Sequence, residues 1–567
     1  MLKMSGTVWQ YWEKNAVSKP GGDAIIHWIP GEEPFRWTFG QLYDTAKKYA
    51  VLLKKSGIRK DDVCALIIRH HKDIYPLYMG ISLMGAVPAV LAYPNPRLHP
   101  EKFRQGIEGM SQRSGLDWIL TENSLTEILK PLVERKESTI KGIHLPLDQS
   151  LENIDISEFN VPEGIADSDP FLLQHSSGTT GLQKPVLLSH RAVIDHASVY
   201  GESIQQSEKD KVVSWLPLYH DMGLIAAFHL PMIYGIPSVQ IDPFDWVLAP
   251  ELLIEAISKE KATLAWLPNF AYNLMAEKIH DDDIEGFSMA SIRMLINSGE
   301  PIRKKSHVRF IQKFSKFGLN PSVLSTSYGM AETTFAVTQT FGGELPVEIN
   351  IDREELAGGI IKPCDDGPGA RVCVSTGTLV RGCEVKIIDH HKKQLSSGML
   401  GELAVKSLSL FTGYRNYPEK TAQAMMDGWY LTGDLGFEMD GYYYIIGRKK
   451  DMIISAGKNI YPEDIEDAVA LVDDVIPGRV IAFGEENDEL GTELISVIAE
   501  TGLHDDQSRK DLKTRIMMAG MGIDVSISII YLVPPRWLIK SSAGKPGRNT
   551  NKERILKADE NIKWKII

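Results

Sequence analysis

The sequence predicts an α/β protein. A large N-terminal domain of parallel βαβ subdomains is followed by a β-rich subdomain, and a smaller α+β C-terminal domain completes the chain. Three observations carry this expectation. From about residue 60, short β-branched runs alternate with helical stretches. After about residue 370, the pattern changes to short strands separated by turns. Gly447-Arg448-Lys449-Lys450-Asp451 then makes a charged joint with about 115 residues beyond it. The expected division is 1–448 and 449–567.

In chain order, 212–216 reads as a buried strand, 223–233 as an apolar helix and 237–241 as the next strand. Helical spacing over 251–257, strands over 263–267 and 294–297, a helix around 304–314 and a strand over 323–327 continue the alternation. This rhythm argues for parallel units, whose ligands collect beyond the C-terminal ends of the strands. Residues 372–374, 384–388, 401–405 and 442–446 read as the short strands of the β-rich part. The nearly apolar run 222–239 is not expected to span a membrane, because Pro231, Gly235 and Pro237 break it into a helix and a strand.

Hydrophobic residues make up 43% of the 567 and charged residues 24%, which suits a globular chain and excludes collagen-like, coiled-coil or largely disordered ones. A net charge of −12 argues against a broad nucleic-acid-binding surface. Cys64, Cys364, Cys373 and Cys383 form no C-x-x-C pair, so neither a zinc knuckle nor a disulfide framework is indicated. The expectation is reduced thiols in a cytoplasmic protein. The first six residues lack the apolar stretch of a signal peptide.

The stretch His175-Ser176-Ser177-Gly178-Thr179-Thr180-Gly181-Leu182-Gln183-Lys184 packs four hydroxyls and two glycines into six residues, with a lysine shortly after. Glycines let backbone N–H groups turn toward an anion, hydroxyls add donors, and the lysine adds charge. On composition, a polyphosphate cradle and a plain surface loop are equally good readings. The stretch is not a P-loop, since no Ser or Thr follows the lysine. Four further segments shift that balance: Tyr328-Gly329-Met330-Ala331-Glu332-Thr333, Thr432-Gly433-Asp434, the run from Gly447 through Gly457-Lys458-Asn459-Ile460-Tyr461-Pro462, and Lys540-Ser541-Ser542-Ala543-Gly544-Lys545.

In this order, over about 370 residues, these segments resemble the core motifs of the adenylate-forming superfamily. Within it, Trp215 to Leu224, Leu267 to Leu274 and Asn297-Ser298-Gly299-Glu300-Pro301-Ile302 are similar to the fatty acyl-AMP ligases, and Ala331 fits that branch. Pro185 departs from the family, which usually has Gly there. The resemblance implies a mobile C-terminal domain and an active site between the domains. It also implies attack of a carboxylate on the α-phosphorus of ATP, with pyrophosphate leaving.

The resemblance assigns roles residue by residue. Ser176, Ser177, Thr179, Thr180 and Lys184 hold phosphates, and Ser298, Gly299 and Glu300 lie along the nucleotide. Tyr328 stacks on adenine, with Gly329, Met330 and Ala331 beside it, and Thr333 contacts the α-phosphate. Glu332 binds Mg²⁺, Asp434 the ribose hydroxyls, and Arg448 the ribose or phosphate. Lys450 is the hinge, and Lys545 bridges carboxylate and α-phosphate as the main catalytic group. His220 lies beside an acyl or pantetheine channel. Phe228, Trp266, Asn269 and Phe270 belong to an acyl pocket, although plain core accounts equally well for the aromatic ones.

The implied acceptor is the phosphopantetheine thiol of an acyl carrier protein, with CoA as the alternative. Retention of Lys545, Glu332, Asp434 and Arg448 argues against an inactive nucleotide-binding scaffold. Residues 341–374 resemble the insertion that these ligases carry. With Gly342-Gly343, Gly358-Gly359 and scattered acids, residues 341–369 are expected to lie on the surface, outside any core.

Overall fold

The computed structural model describes residues 6–94, 100–136, 138–175, 184–367, 369–455, 458–487, 492–540 and 547–558. Its largest sheet has nine strands in the order Thr378–Leu379, Ala336–Gln339, Leu324–Gly329, Met294–Asn297, Leu264–Leu267, Val212–Ser214, Ser238–Gln240, Asp23–His27 and Phe35–Thr38. Its inner pairings are parallel, and the antiparallel pairings lie toward its two edges. Met294–Asn297 and Leu264–Leu267 are buried at every position, as strands covered on both faces require. A second parallel sheet holds Val87–Val90, Val63–Ile67, Trp118–Thr121 and Gly142–His144. The expected alternation is therefore present, with strand ends within about three residues of those read from the sequence.

The apolar run after Asp221 forms a π-helix, Met222–His229, continuing into the α-helix Leu230–Tyr234, all but Tyr234 buried. Gly223 lets this helix start against the Pro217 carbonyl, where a Cβ would come within 2.2 Å. No helix among the described residues is long and apolar enough to cross a membrane.

The β-rich part is a five-stranded sheet built on Cys383–Ile388, Gly401–Ser407 and Trp429–Met439, with Met425–Met426 and Tyr442–Arg448 paired to the last of these. Beyond it, Val480–Asn487, Thr492–Glu500 and Ile529–Val533 form a small sheet packed with helices Pro462–Val469, Asp506–Met521 and Arg548–Leu556. Ile465, Leu512, Ile516 and Val497 make its own apolar core.

The segment 341–369 departs in part from expectation. Glu348–Asp352 and Ala370–Val374 pair as an antiparallel hairpin, joined through the short helix Arg353–Ala357. Ile351, Leu356 and Cys373 are buried against Leu435, Phe437, Tyr444, Ile446 and Tyr461. The rest of the segment is largely exposed or half-buried. Too few of its residues point inward for a period of two to be visible in the sequence, and the apolar partner comes from strands about 90 residues further on.

The same hairpin meets the C-terminal part. Arg371 Nη2 lies 2.9 Å from Asp464 Oδ1, and Arg353 Nη1 lies 3.7 Å from Asp464 Oδ2. Asn459 Nδ2 donates to the Ala357 carbonyl at 3.2 Å. Arg303, on the N-terminal side, pairs with Asp467 at 2.6 Å and lies 3.7 Å from Asp464.

Candidate functional site

The site is assembled beyond the ends of the large sheet's strands. Strand Leu324–Gly329 carries Tyr328 one residue before its end, and Gly329 is required there, since a Cβ would meet the Phe335 carbonyl at 1.8 Å. Met330, Ala331, Glu332 and Thr333 then make a tight turn. It closes on Thr334, fully buried at φ +71°. A β-branched residue there is strained by about 1–3 kcal/mol, and such strain persists only where the surroundings enforce it. Thr334 Oγ1 donates to the Ser409 carbonyl at 2.8 Å. The Thr333 hydroxyl faces the Met330 and Phe335 carbonyls at 3.0 and 3.1 Å.

Asp434 and Arg448 are cross-strand neighbours in the hairpin of Trp429–Met439 with Tyr442–Arg448. Arg448 Nε lies 3.2 Å from Asp434 Oδ1. The Tyr328 hydroxyl donates to Asp434 Oδ2 at 2.8 Å. Burial, with Asp434 beside it, holds the Tyr328 phenol well above its usual range. The Asp434 carboxylate raises Arg448 above its ordinary value, with Glu332 among the smaller contributors.

A second chain of contacts runs through residues that motif reading missed. The Tyr414 hydroxyl donates to Glu332 Oε1 at 2.7 Å, lies 3.1 Å from Lys184 Nζ and 3.3 Å from the Tyr430 hydroxyl. The Lys184 ammonium also sits 4.9 Å from the Tyr414 ring centroid. Burial and Glu332 push the Tyr414 phenol far up, so it stays a donor. Tyr414 reaches this place because Gly413–Tyr414 pairs with Pro185–Ser189, the strand leaving the glycine-rich stretch. Pro185 is its first residue, a position where a missing N–H is tolerated. Only the Gly413-Tyr414 pair marks this spot in the sequence.

Ser298 and Gly299 follow strand Met294–Asn297, and Gly299 takes φ +84°. The Glu300 carboxylate accepts from the Phe270 N–H at 2.9 Å. Lys540, in the C-terminal part, is pulled down to about 8 by burial, while Glu300 and Glu500 act the other way. Lys450 lies in the turn after Arg448, and burial followed by Arg448 lowers its ammonium, with Lys184 adding.

The acyl-pocket candidates fall into two groups. Phe228 is fully buried against Tyr75 and Tyr78, and Trp266 is fully buried with its N–H donating to the Tyr200 hydroxyl at 2.8 Å. Asn269 is tied by its side chain to Asn297, Ser306 and the Arg303 N–H. Phe270 packs edge-on against Trp215 and Trp246, which stack 3.6 Å apart. His220 lies beside the Tyr219 ring. Ser176, Ser177, Thr179, Thr180 and Lys545 lie outside the described residues.

Tyr414 supplies a direct prediction. Tyr414→Phe removes the hydroxyl shared by Lys184 and Glu332 while keeping the ring. With hydrogen bonds to charged groups worth about 1.5–3 kcal/mol, pyrophosphate release at saturating substrates is expected to slow by about 10–100-fold. An unchanged rate would remove Tyr414 from the site.

The sequence pattern of the AMP-binding enzyme family matches residues 12–415. A putative ligase of Mycobacterium tuberculosis is 31% identical over 456 residues, covering 79% of this chain and 81% of that protein. A structure from work on fatty acyl-adenylate ligases of E. coli and L. pneumophila superposes with TM-score 0.89 over 98% of both chains; at 22% identity it speaks for the fold. The fatty acyl-adenylate ligase of L. pneumophila, solved with acyl adenylate and pyrophosphate, is 26% identical, with TM-score 0.74 over 97% of this chain and 96% of its own. The motif order, the fold and these matches agree with the resemblance read from the sequence: the chain belongs to the AMP-binding enzyme family.

Proposed function

We propose that the protein is a fatty acyl-AMP ligase with two half-reactions. In the first, a carboxylate oxygen of an apolar acid bonds to the α-phosphorus of ATP, and the bond to the pyrophosphate oxygen breaks. In the second, the phosphopantetheine thiol of an acyl carrier protein attacks the acyl carbon, and AMP leaves. The observation carrying this reading is a pair of contact chains, Lys184–Tyr414–Glu332 and Tyr328–Asp434–Arg448, which bring residues of separate motifs, with Tyr414, together around the turn after strand Leu324–Gly329.

In this reading Tyr328 offers its ring to adenine, and Asp434 accepts from the ribose hydroxyls. Arg448 and Lys184 offset phosphate charge, the Ser176–Thr180 region cradles the phosphates, and Lys545 bridges the reacting groups. Charge builds on the phosphoryl oxygens in the transition state, so preorganised cations and donors are what the step needs. Among the described residues there is no cluster of three or more metal-ligating side chains. The single buried Glu332 carboxylate nevertheless suits Mg²⁺, which commonly takes one or two carboxylates and completes its shell with phosphate oxygens and water. When bound, that ion would neutralise phosphate charge. The chain is read as two domains, 1–448 and 449–567, turning about Lys450.

The carrier is favoured over CoA because the 341–374 hairpin contacts the C-terminal part through Asp464 and Asn459, which would restrain its rotation. The test supplies ATP, Mg²⁺ and a panel of fatty acids, with either CoA or a phosphopantetheinylated carrier. Acyl-AMP is expected to accumulate with CoA and to be consumed with carrier. Acyl-CoA formed as fast as pyrophosphate is released would assign the protein as an acyl-CoA ligase.

A further inference from the structure

Strand Trp429–Met439 does not run evenly beside its neighbour Gly401–Ser407. Glu402 faces Leu435 and Ala404 faces Leu431, so Leu403 alone stands opposite Thr432, Gly433 and Asp434. Extra residues on one strand make a bulge, which leaves backbone groups without ladder partners and re-aims a side chain. The side chain concerned is that of Asp434, whose backbone still pairs with Arg448 on the strand's other edge. Its Oδ2 accepts from the Tyr328 hydroxyl at 2.8 Å, and its Oδ1 lies 3.2 Å from Arg448 Nε.

The partners that the bulge lacks are supplied from two sides. Glu402 Oε1 accepts from the Gly433 N–H at 3.2 Å, and the Lys449 N–H donates to the Gly433 carbonyl at 2.9 Å. Gly433 takes φ +73°, a left-handed conformation that glycine adopts at no steric cost. The Asp434 N–H donates to Thr432 Oγ1 at 3.0 Å, and that hydroxyl donates to the Leu403 carbonyl at 2.8 Å. Glu402 Oε2 lies 3.0 Å from the Lys449 ammonium, with the glutamate side chain 13% exposed and the lysine 49%. So exposed an ion pair shifts an equilibrium by at most about fivefold. The bond from Glu402 to Gly433 is therefore the contact that holds the bulge, and Lys449 balances its charge.

We propose that Glu402 is a positioning residue for nucleotide binding: its carboxylate replaces the strand partner that Gly433 lacks and keeps Asp434 aimed at the ribose. The proposal rests on the reading of Asp434 as the acceptor of the ribose hydroxyls. Glu402 itself touches no part of the nucleotide in this reading, so its whole effect passes through Asp434.

The experiment is a double-mutant cycle on the full chain, with the Kd for ATP in the presence of Mg²⁺ measured by calorimetry without acid, and Tm and the KM for a fatty acid measured for each variant. Glu402→Ala is expected to raise the Kd for ATP by roughly 3–10-fold and to add no further loss once Asp434 is Ala, because contacts that act through one group are not additive. The KM for the acid is expected to stay nearly unchanged. Glu402→Gln, whose amide oxygen can still accept from Gly433, is expected to bind ATP within about twofold of wild type, since only the half-exposed ion pair is lost. Thr432→Val removes the hydroxyl that joins Asp434 to Leu403; it is expected to show the same non-additivity and decides the matter if Glu402→Ala fails to fold. A Glu402→Ala loss that multiplies with that of Asp434→Ala, a Gln variant as weak as the Ala variant, or an unchanged Kd would overturn the proposal. An Asp434→Ala protein that binds ATP as tightly as wild type would instead overturn the ribose reading on which it rests.

Discussion

Lys545→Ala is expected to leave the fold intact and to slow acyl-adenylate formation by roughly 10²–10³, the scale for losing one preorganised donor at a centre where charge develops. The residue follows Gly544 in the last of the motifs along the chain. Five positions before it, the half-buried Lys540 feels the Glu300 carboxylate of the N-terminal side. Single-turnover release of pyrophosphate, with Tm as the control for folding, measures the effect. Release at a near wild-type rate would remove Lys545 from the mechanism.

Asp434→Ala is expected to raise the KM for ATP by about 10–100-fold while leaving that for the acid nearly unchanged. The size follows from losing hydrogen bonds between a carboxylate and the ribose hydroxyls, worth about 1.5–3 kcal/mol. The substitution also strips Tyr328 and Arg448 of their shared partner. Part of the effect would thus come from an unanchored adenine platform. Asp434→Asn separates the two causes, because the amide oxygen can still accept from Tyr328 while the charge facing Arg448 is gone. An effect confined to the KM for the acid would refute the ribose assignment.

Much of this site is legible in the sequence because its pieces are local. The strand over 294–297 and the helix over 304–314 have the same bounds in the structure, since continuous buried runs and helical spacing are short-range signals. Asp434 and Arg448 meet because one hairpin, turning at Asp440-Gly441, sets their register. The Tyr328 and Glu332 turn is carried by consecutive residues.

Other parts were decided only by tertiary packing. Tyr414 joins Lys184, 230 positions away, and Glu332, 82 positions away, through pairing of two strands that nothing local connects. Asn551 and Arg548 look like ordinary helix residues until the chain folds back on Ile539, Asp451, Glu463 and Glu466. Residues 341–369 read as a surface insertion, yet they bury Ile351 and Leu356, because their apolar partners, Leu435, Phe437 and Tyr444, arrive from a distant hairpin. The sequence by itself determined the strands, the order of the motifs and the chemistry each can offer, because these depend on residue type and near-neighbour spacing. The tertiary structure alone decided which charges and hydroxyls share a partner, because that depends on contacts between residues far apart in the chain.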